Sequence, residues 1–221
     1  MEALRRNHNE AKRELIELIA KKGQHIFDVG CGFGGDLQKW HKCGVNINMC
    51  DPEPQALEEA RSRAKNMKMR VNFYEGDIHN CPNRRFDVVC FNFSLHYIFA
   101  TKELFFSSIN EIRKRMKTGG RLIGIIPDSE KILFRTPYKD GMGNFFLLGG
   151  NGCSGGFGEK LWVHLADTPY YADGPKPEPV AYKDLLILHM EELGFELEIW
   201  DNLRGHPISG LYSKFIFVYK R

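Results

Sequence analysis

The residues of this sequence best suited to chemistry are acidic side chains that stand around a cluster of glycines. Asp28 and Asp36 flank the run Gly30–Gly35, which contains four glycines in six residues. Asp51 and Asp77 stand further along the chain, each shortly after a short, largely apolar run. Carboxylates accept hydrogen bonds from amino and hydroxyl groups and attract cations. The four acids therefore suit a ligand that carries groups of both kinds.

The glycine cluster by itself is compatible with two classes of cofactor. Gly30, Gly32 and Gly35 satisfy the Gly-x-Gly-x-x-Gly pattern of dinucleotide binding. A nicotinamide dinucleotide would place its anionic pyrophosphate at the start of the following helix, where Asp28 and Asp36 would repel it. S-adenosylmethionine instead carries an ammonium and a sulfonium, which both acids would attract. The loop therefore favours S-adenosylmethionine, although Asp36 taken alone could be a helix cap.

The two later acids fit the same cofactor. Asp51 follows the glycine loop by about twenty residues, a spacing at which a carboxylate can bind both ribose hydroxyls. It could equally cap the helix that Pro52 introduces. Asp77 could accept a hydrogen bond from the adenine amino group while Ile78 packs on the ring, but an aspartate in a Gly-Asp turn is commonplace. The acids therefore count jointly, as one site along the carboxyl ends of the predicted strands.

The elements that must position these acids alternate between strand and helix along most of the chain. Apolar runs predict strands at residues 25–29, 45–50, 71–74, 86–91, 121–126, 196–200 and 214–219. Helical periodicity predicts helices at residues 9–21, 36–43, 52–65, 103–116 and 182–193, with Thr118-Gly119-Gly120 ending the fourth. This order predicts an α/β fold with a mostly parallel, seven-stranded sheet and helices on both faces.

One segment breaks the alternation. Eight of the eighteen residues from Gly141 to Gly158 are glycine, and residues 169–179 are rich in proline and aromatic side chains. We expect an inserted flap over about residues 138–180, either a hairpin, a disordered insertion, or both. The length of 221 residues otherwise predicts one domain covering residues 1–221.

Charge and composition limit the partners, metal sites and cellular compartment that we expect for the chain. A net charge of +3 permits an anionic partner without demanding one. The six cysteines, at positions 31, 43, 50, 81, 90 and 153, form no Cys-x-x-Cys pair, so we expect reduced thiols and no zinc or other metal site. With neither a run of eighteen apolar residues nor a signal-peptide pattern at the N-terminus, we expect no membrane partner and no secretion.

Three stretches of the sequence form a combination of motifs: Gly30-Cys31-Gly32-Phe33-Gly34-Gly35-Asp36-Leu37-Gln38-Lys39-Trp40, Phe93-Ser94-Leu95-His96-Tyr97 and Gly124-Ile125-Ile126-Pro127-Asp128-Ser129. Together they resemble the mRNA cap guanine-N7 methyltransferases, a family that includes enzymes of eukaryotes and of large DNA viruses. Phe33 stands where the family usually has lysine. The resemblance runs from about residue 5 to the C-terminus. It implies a class I S-adenosylmethionine-dependent methyltransferase that acts on GpppN-ended RNA. It also implies that the chain is one domain of a longer capping enzyme, and that it works in the cytoplasm, or in a viral factory or virion.

The resemblance also implies roles for individual residues. Lys12 would hold the carboxylate of the cofactor and Asp36 its amine, while Asp51 would hold the ribose and Asp77 the adenine. The remaining cofactor contacts would be Asp28, Gly30, Gly32, Pro52, Ile78, Phe93 and Ser94. Guanine would be held by His96, Tyr97, Glu178 and Tyr212, with Pro127 beneath the base, and the cap phosphates would be held by Arg63 and Asn9.

The chemistry of N7 methylation does not ask for an acid–base dyad. Guanine N7 has an in-plane lone pair and no proton, so attack on a sulfonium methyl group needs alignment and exclusion of water rather than a base. Glu178 would accept from N1–H and the 2-amino group, and His96 would donate to O6. Without the resemblance, we would interpret His96 and Tyr97 as packing residues, Glu178 as a solvated surface acid and Tyr212 as a core residue.

Several alternatives stay open at this point. The basic run Arg61, Arg63, Lys65, Lys68 and Arg70 is either a solvated helix face or a phosphate contact. No tract of the sequence interleaves basic and aromatic residues, so we expect contact with the cap and few nucleotides beyond it. Competing functions are a methyltransferase for another RNA position or a small molecule, a non-catalytic cap- or cofactor-binding module, and a nicotinamide oxidoreductase.

Overall fold

The computed structural model describes residues 2–81, 83–149, 156–166 and 169–221. Its α-helices are α1 (Glu2–Ile19), α2 (Leu37–Lys42), α3 (Pro54–Asn66), α4 (Lys102–Lys114), α5 (Ser129–Arg135) and α6 (Lys183–Glu192). Its strands are β1 (His25–Val29), β2 (Asn46–Asp51), β3 (Val71–Glu75), β4 (Phe86–Asn92), β5 (Met116–Pro127), β6 (Tyr138–Lys139), β7 (Phe145–Leu148), β8 (Lys160–His164), β9 (Lys176–Pro179), β10 (Phe195–Asn202) and β11 (Tyr212–Tyr219).

Seven strands form the main sheet, in the order β10-β11-β5-β4-β1-β2-β3. The pairs β1–β2, β1–β4, β2–β3 and β4–β5 are parallel, whereas β11 runs antiparallel to both β5 and β10. The prediction of a mostly parallel, seven-stranded α/β sheet is therefore confirmed. Because the parallel strands share one direction, their carboxyl ends meet at one edge of the sheet, where ligands bind in folds of this kind.

Each face of the main sheet is covered by its own apolar cluster. Successive side chains of a strand point to opposite faces, so Ile26 of β1 joins one cluster and its neighbour Phe27 joins the other. Trp40 of α2 packs in the first cluster and Phe105 of α4 in the second. This two-sided burial explains why the central strands read as continuous apolar runs. It also holds the carboxyl edge of the sheet rigidly in place.

Two predicted boundaries were wrong, for identifiable reasons. Helix α1 begins at Glu2 rather than residue 9, because Leu4 is buried in the same cluster as Leu15 and extends the apolar stripe. The pair Gly119-Gly120 does not end a helix but lies inside β5, where Gly119 has a φ of +76°. A Cβ on Gly120 would lie 3.1 Å from the carbonyl oxygen of Asp87 in β4, so glycine permits the close approach of the two strands.

A second, antiparallel sheet lies in the segment for which a flap is expected. Its strand order is β6-β7-β8-β9, and residues 150–155 between β7 and β8, including Cys153, lie outside the described part of the chain. Phe146 and Leu161 on one face are buried in the first apolar cluster. That face is therefore fixed against the main sheet, close to Tyr212 at the start of β11. None of the described helices is long and apolar enough to cross a membrane.

Candidate functional site

The glycine loop after β1 is shaped by its contact with the loop after β4. Gly30, Gly32 and Gly34 all have positive φ values, a conformation that favours glycine. A Cβ on Gly30 would lie 2.5 Å from Cβ of Ser94, so any larger residue there would separate the two loops. Ser94 Oγ donates to the carbonyl oxygen of Val29 at 2.6 Å. The two loops therefore form one surface at the carboxyl edge of the sheet.

Asp51 fixes the glycine loop from the neighbouring strand. One carboxylate oxygen accepts from the Gly32 amide at 2.6 Å and the other accepts from the Glu53 amide at 2.9 Å. The cap of α3 is Glu53, and Pro54 is the first helical residue, so the alternative role of Asp51 as the helix cap is wrong. The exposed Pro52 continues the chain from this acid. Asp51 is therefore a preoriented acceptor beside the loop.

Asp36 is the centre of a buried ion-pair cluster. Its Oδ1 lies 2.8 Å from Lys12 Nζ and 2.7 Å from Lys39 Nζ, and its Oδ2 accepts from the Asn92 side chain at 3.0 Å. Burial raises the pKa of Asp36, but the two ammonium groups outweigh burial and hold that pKa below its ordinary value. The side chain makes no capping hydrogen bond to α2. Asp36 therefore occupies the N-cap position of α2, but its carboxylate oxygens bind Lys12, Lys39 and Asn92 instead of a helix amide.

Asp28 has the opposite electrostatic character. It is buried within β1 and its Oδ2 accepts from the Trp40 indole N–H at 2.9 Å. Burial, together with repulsion from Asp36, raises the pKa of Asp28 to about 7. Trp40 is neutral, so Asp28 receives a hydrogen bond but, among the described residues, no direct ion pair. Of the two acids that flank the glycine loop, Asp28 is the one that a bound cation would stabilise most.

Of the two residues expected at the cap phosphates, Asn9 lies beside the Asp36 ion-pair cluster and Arg63 lies beside the glycine loop. Asn9 of α1 accepts from Lys39 Nζ at 3.2 Å, which places it beside the Asp36 cluster. Arg63 lies near the end of α3, pairs with Glu59 at 2.8 Å and lines a shallow cavity that also includes Gly34 and Gly35. Among the described residues, Asn9 and Arg63 make no hydrogen bond or ion pair with His96 or Glu178.

Asp77 and Ile78 follow β3 at the same edge of the sheet. The Asp77 carboxylate accepts from the His79 amide at 2.8 Å and lies 3.0 Å from Nδ1 of the His79 ring. Asp77 is exposed and caps the short 3₁₀ helix Ile78–Asn80, while Ile78 is buried. Asp77 therefore makes the hydrogen bonds that are common for an aspartate in a turn. Its exposed carboxylate remains accessible to a ligand at the edge.

Another buried carboxylate lies on the inserted sheet. Glu178 of β9 is only 4% exposed, so the alternative of a solvated surface acid is wrong. Its Oε1 accepts from the Tyr171 hydroxyl, and its Oε2 lies 3.1 Å from His96 Nε2. Burial raises the pKa of Glu178, but His96 and the hydroxyls of Tyr171 and Tyr97 outweigh burial and leave that pKa below its ordinary value. Glu178 is therefore held as a carboxylate in a water-poor site.

His96 and Tyr97 complete the wall beside Glu178. Both lie in the 3₁₀ helix Leu95–Ala100, and their ring centroids are 4.2 Å apart. Although His96 Nε2 is close to Glu178, neither ring nitrogen has a hydrogen-bond partner of good geometry among the described residues. Tyr97 is partly exposed, and its hydroxyl lies 2.6 Å from that of Tyr170. The structure therefore brings His96, Tyr97 and Glu178 together, as expected.

Tyr212 and Pro127 lie between the Asp36 ion-pair cluster and the group of side chains around Glu178. They are cross-strand partners at the end of β5 and the start of β11, and both are buried. The Tyr212 ring meets Phe93 edge-on, with centroids 5.3 Å apart, and meets His8 in the same way. Tyr212 thus supports the site as packing and presents little open ring face. Phe93 has a φ of +62°, which turns the chain from β4 into the 3₁₀ helix.

Sequence reasoning missed four residues of this region, namely His8, Lys39, Asn92 and Tyr171. Burial and the charges of Lys12 and His206 lower the pKa of His8 to about 4, so the ring is neutral. Asn92 had a local signal, because it ends an apolar strand at the carboxyl edge. Tyr171 had none, because it meets Glu178 only through the fold of the inserted segment.

Comparison with known sequences gives one consistent family. A family model described as the mRNA (guanine-N(7))-methyltransferase domain matches residues 1–146. The mRNA cap guanine-N(7) methyltransferase of Saccharomyces cerevisiae is 33% identical over 147 residues, covering 60% of this chain and 34% of the yeast protein. The enzyme called mRNA cap guanine-N(7) methyltransferase 1 in rice is 28% identical over 227 residues, covering 90% of this chain. The matched region spans 60% of the rice protein.

Solved structures support the same fold. An S-adenosylmethionine-dependent methyltransferase from Clostridium acetobutylicum superposes with a TM-score of 0.68 at 12% identity, covering 98% of this chain and 92% of that one. The PH0226 protein from Pyrococcus horikoshii superposes with a TM-score of 0.69 at 18% identity, covering 96% of this chain and 91% of that one. At these identities the likeness shows the fold, and it confirms the class I methyltransferase architecture.

Proposed function

Because the chain belongs to the mRNA (guanine-N(7))-methyltransferase family, we propose that it transfers a methyl group from S-adenosylmethionine to N7 of the guanosine that ends GpppN-RNA. The observation that carries the proposal is the buried carboxylate of Glu178. Guanine offers two donors, N1–H and the 2-amino group, on one edge, and an ionised carboxylate can accept from both. Adenine lacks this pair of donors, so Glu178 would select guanine.

The residues at the other end of the site fit the proposed cofactor. The side chains of Lys12 and Asp36 already form an ammonium–carboxylate pair, which is complementary to the carboxylate and ammonium of a methionine moiety. Asp51 would accept hydrogen bonds from the ribose hydroxyls while still accepting one from the Gly32 amide of the glycine loop. Asp77 and Ile78 would contact the adenine. Phe93 and Ser94, the loop that meets Gly30, would line the space between cofactor and guanine.

Asp28 supplies the charge that distinguishes this cofactor from a dinucleotide. Bound S-adenosylmethionine would supply an electrophilic methyl group carried on a sulfonium. Asp28 would become ionised in the presence of such a cation, because the attraction opposes the burial that raises its pKa. A pyrophosphate in the same place would raise that pKa further and be bound poorly. The chain thus favours a cationic ligand at the end of β1.

The reaction would depend on orientation rather than on proton transfer. N7 of guanine has no proton to remove, so none of the residues need act as a general base. Glu178 would hold the guanine edge, His96 would donate to O6, and Pro127 with Tyr212 would support the base from below. As positive charge develops on guanine, the Glu178 carboxylate would stabilise it more strongly than in the ground state. Holding the atoms in line would supply most of the rate.

The phosphates of the cap would be met at the margin of the site. Arg63 would exchange Glu59 for a cap phosphate, because a surface ion pair of this kind is worth little. Asn9 would contribute a second polar contact through its amide. The five described cysteines are free thiols, which fits the proposed setting in a reducing cytoplasm. We propose further that the chain acts together with other capping domains.

The test is transfer of a radiolabelled methyl group from S-adenosylmethionine to GpppN-ended RNA, with ApppN-ended RNA as the matched control. We expect labelling of the guanosine-ended RNA alone, with the label in 7-methylguanosine after nuclease digestion. Equal labelling of both RNAs would remove guanine recognition from the proposal. Labelling of an internal position would assign the chain to another RNA methylation, and no transfer with intact cofactor binding would make it a binding module.

A further inference from the structure

The inserted sheet has a second face that the proposed reaction does not use. Strand alternation and the ladder register place Glu178 with Leu161 on the inner face, toward the site, and place their neighbours on the outer face. We define the outer face by Lys139, Phe145, Leu147, Lys160, Trp162 and His164. Pro177, which precedes Glu178, also lies on it, opposite Trp162. Glu178 and the outer face thus lie on opposite faces of the same four-stranded sheet.

The outer face presents Trp162 and Leu147 to solvent, with the rings of Phe145 and His164 half-buried beside them. Trp162 is 38% exposed and its cross-strand partner Leu147 is 48% exposed. The rings of Phe145 and His164 are also cross-strand partners and stack with centroids 5.9 Å apart and planes 24° from parallel. Large apolar side chains that stay partly exposed, such as Trp162 and Leu147, cost free energy unless a ligand covers them. The outer face is therefore a candidate binding surface.

The charge of the outer face favours an anion. Lys139 and Lys160 are both exposed and have no ion-pair partner among the described residues. None of the side chains that the register places on this face is an aspartate or a glutamate. The centre of a protein–protein interface is usually depleted of lysine, whereas a surface for single-stranded nucleic acid combines lysines with exposed rings. The combination here matches the second pattern.

We propose that the outer face binds the single-stranded RNA that follows the cap, an inference that rests on the proposed function for the identity of the RNA. Bases would stack on Trp162 and on the Phe145–His164 pair, while Lys139 and Lys160 would contact phosphates. Lys160, Trp162 and His164 alternate along β8, but only the cross-strand register brings Lys139, Phe145 and Leu147 onto the same face, so the sequence alone did not define this surface. Under this proposal the RNA would contact more of the chain than the cap and the few nucleotides beyond it that we expect from the sequence.

The first experiment measures binding without any chemistry. The fluorescence anisotropy of a labelled, uncapped, single-stranded RNA would be followed for the wild type, Trp162→Ala, Trp162→Phe and Lys160→Ala. We expect Trp162→Ala to weaken binding about tenfold and Trp162→Phe to restore most of it, because a ring face is what a base requires. Lys160→Ala should reduce the slope of log K against log salt by about 0.7, the loss of one phosphate contact.

The matched controls are an exposed ring and an exposed lysine elsewhere. Phe134 is 89% exposed on α5, and Lys21 is exposed just after α1. Phe134→Ala and Lys21→Ala should leave RNA affinity and the salt slope unchanged. If the controls weaken binding as much as Trp162→Ala and Lys160→Ala do, the proposal is overturned. Equal loss for duplex RNA would also overturn it, since a duplex cannot stack its bases on Trp162.

The second experiment separates this inference from the proposed function. In methyl transfer, Trp162→Ala should raise KM for a capped RNA of about twenty nucleotides by about tenfold and leave KM for the dinucleotide GpppG unchanged. Equal change for both substrates would mean that Trp162 acts only through the structure. If no variant or wild type transfers methyl groups while uncapped RNA still binds through Trp162, the proposed function fails and the surface stands.

Discussion

The two ends of the proposed site hold a buried carboxylate in different ways. At the cofactor end, Asp36 is locked between the ammonium groups of Lys12 and Lys39. At the guanine end, Glu178 is held by the Tyr171 hydroxyl and lies against a His96 ring nitrogen. Full ion pairs keep a carboxylate charged at any pH near neutrality, whereas hydroxyls and a ring nitrogen can be exchanged for donors on a ligand.

This difference suits the two ligands. A zwitterionic methionine end needs fixed charges of both signs, and the Lys12–Asp36 pair supplies them before the cofactor arrives. The guanine edge brings its own donors, so a carboxylate held by weaker partners can accept them without first breaking an ion pair. The comparison predicts that cofactor binding and guanine recognition can be damaged separately. The following substitutions test that separation, from the largest expected effect to the smallest.

The largest effect is expected from Glu178→Ala. The substitution removes both hydrogen bonds to guanine and the charge that stabilises its developing cation, so kcat/KM for capped RNA should fall about 1,000-fold. Cofactor affinity measured by calorimetry should stay within twofold, because Glu178 lies on the inserted sheet and not at the glycine loop. Loss of cofactor affinity in this variant would show that the two ends are not separate.

A smaller but still large effect is expected from Asp51→Ala, at the other end. The Gly32 and Glu53 amides lose their acceptor and the ribose loses its own, so the Kd for S-adenosylmethionine should rise about 100-fold. With saturating cofactor, the preference for GpppN-ended over ApppN-ended RNA should be retained. Asp77→Ala serves as the control, since Asp77 is exposed and the change should be several times smaller. A Kd within tenfold of the wild type would refute the role of Asp51.

Tyr171→Phe should weaken guanine recognition about twentyfold, the value of one hydrogen bond to a charged group. The pKa of Glu178 lies below its ordinary value partly because of this hydroxyl. Activity that needs the carboxylate is therefore present above that lowered pKa and is lost as pH falls through it. Removing the hydroxyl raises the pKa, so the acid limb of the pH–rate profile should move to higher pH. An unmoved limb would mean that the hydroxyl does not act on Glu178.

The same comparison explains what the sequence could predict. The cofactor end consists of short segments that each follow a strand, so Asp28, Gly30 and Asp51 could be placed from local patterns alone. The alternation of strands and helices predicted the order in which they meet at one edge. What sequence reasoning could not see was that Asp36 pairs with Lys12, because α1 lies before β1 in the chain and contacts the loop only in the folded protein.

The guanine end was predictable only through the family resemblance. His96 and Glu178 are 82 residues apart and meet because β9 packs against the 3₁₀ helix of residues 95–100. The family model also ends at residue 146, before Glu178 and Tyr212. Tyr171 and the outer face of the inserted sheet depend on cross-strand register, which a glycine-rich sequence specifies weakly. Long-range pairing, rather than local propensity, set the limit.

The smallest expected effect tests the electrostatic basis of cofactor choice. The pKa of Asp28 is raised to about 7, so below that pH the group is neutral and above it the group is a carboxylate. A cationic ligand that interacts with the carboxylate should therefore bind more tightly as pH rises, by about fourfold between pH 6.5 and 8. Asp28→Asn should abolish this dependence, and the ratio of wild-type to variant Kd isolates it from titration of the ligand. The affinity for an anionic dinucleotide would instead fall as pH rises. If the affinity for the cofactor falls with rising pH in the wild type but not in Asp28→Asn, the assignment of the cofactor is reversed.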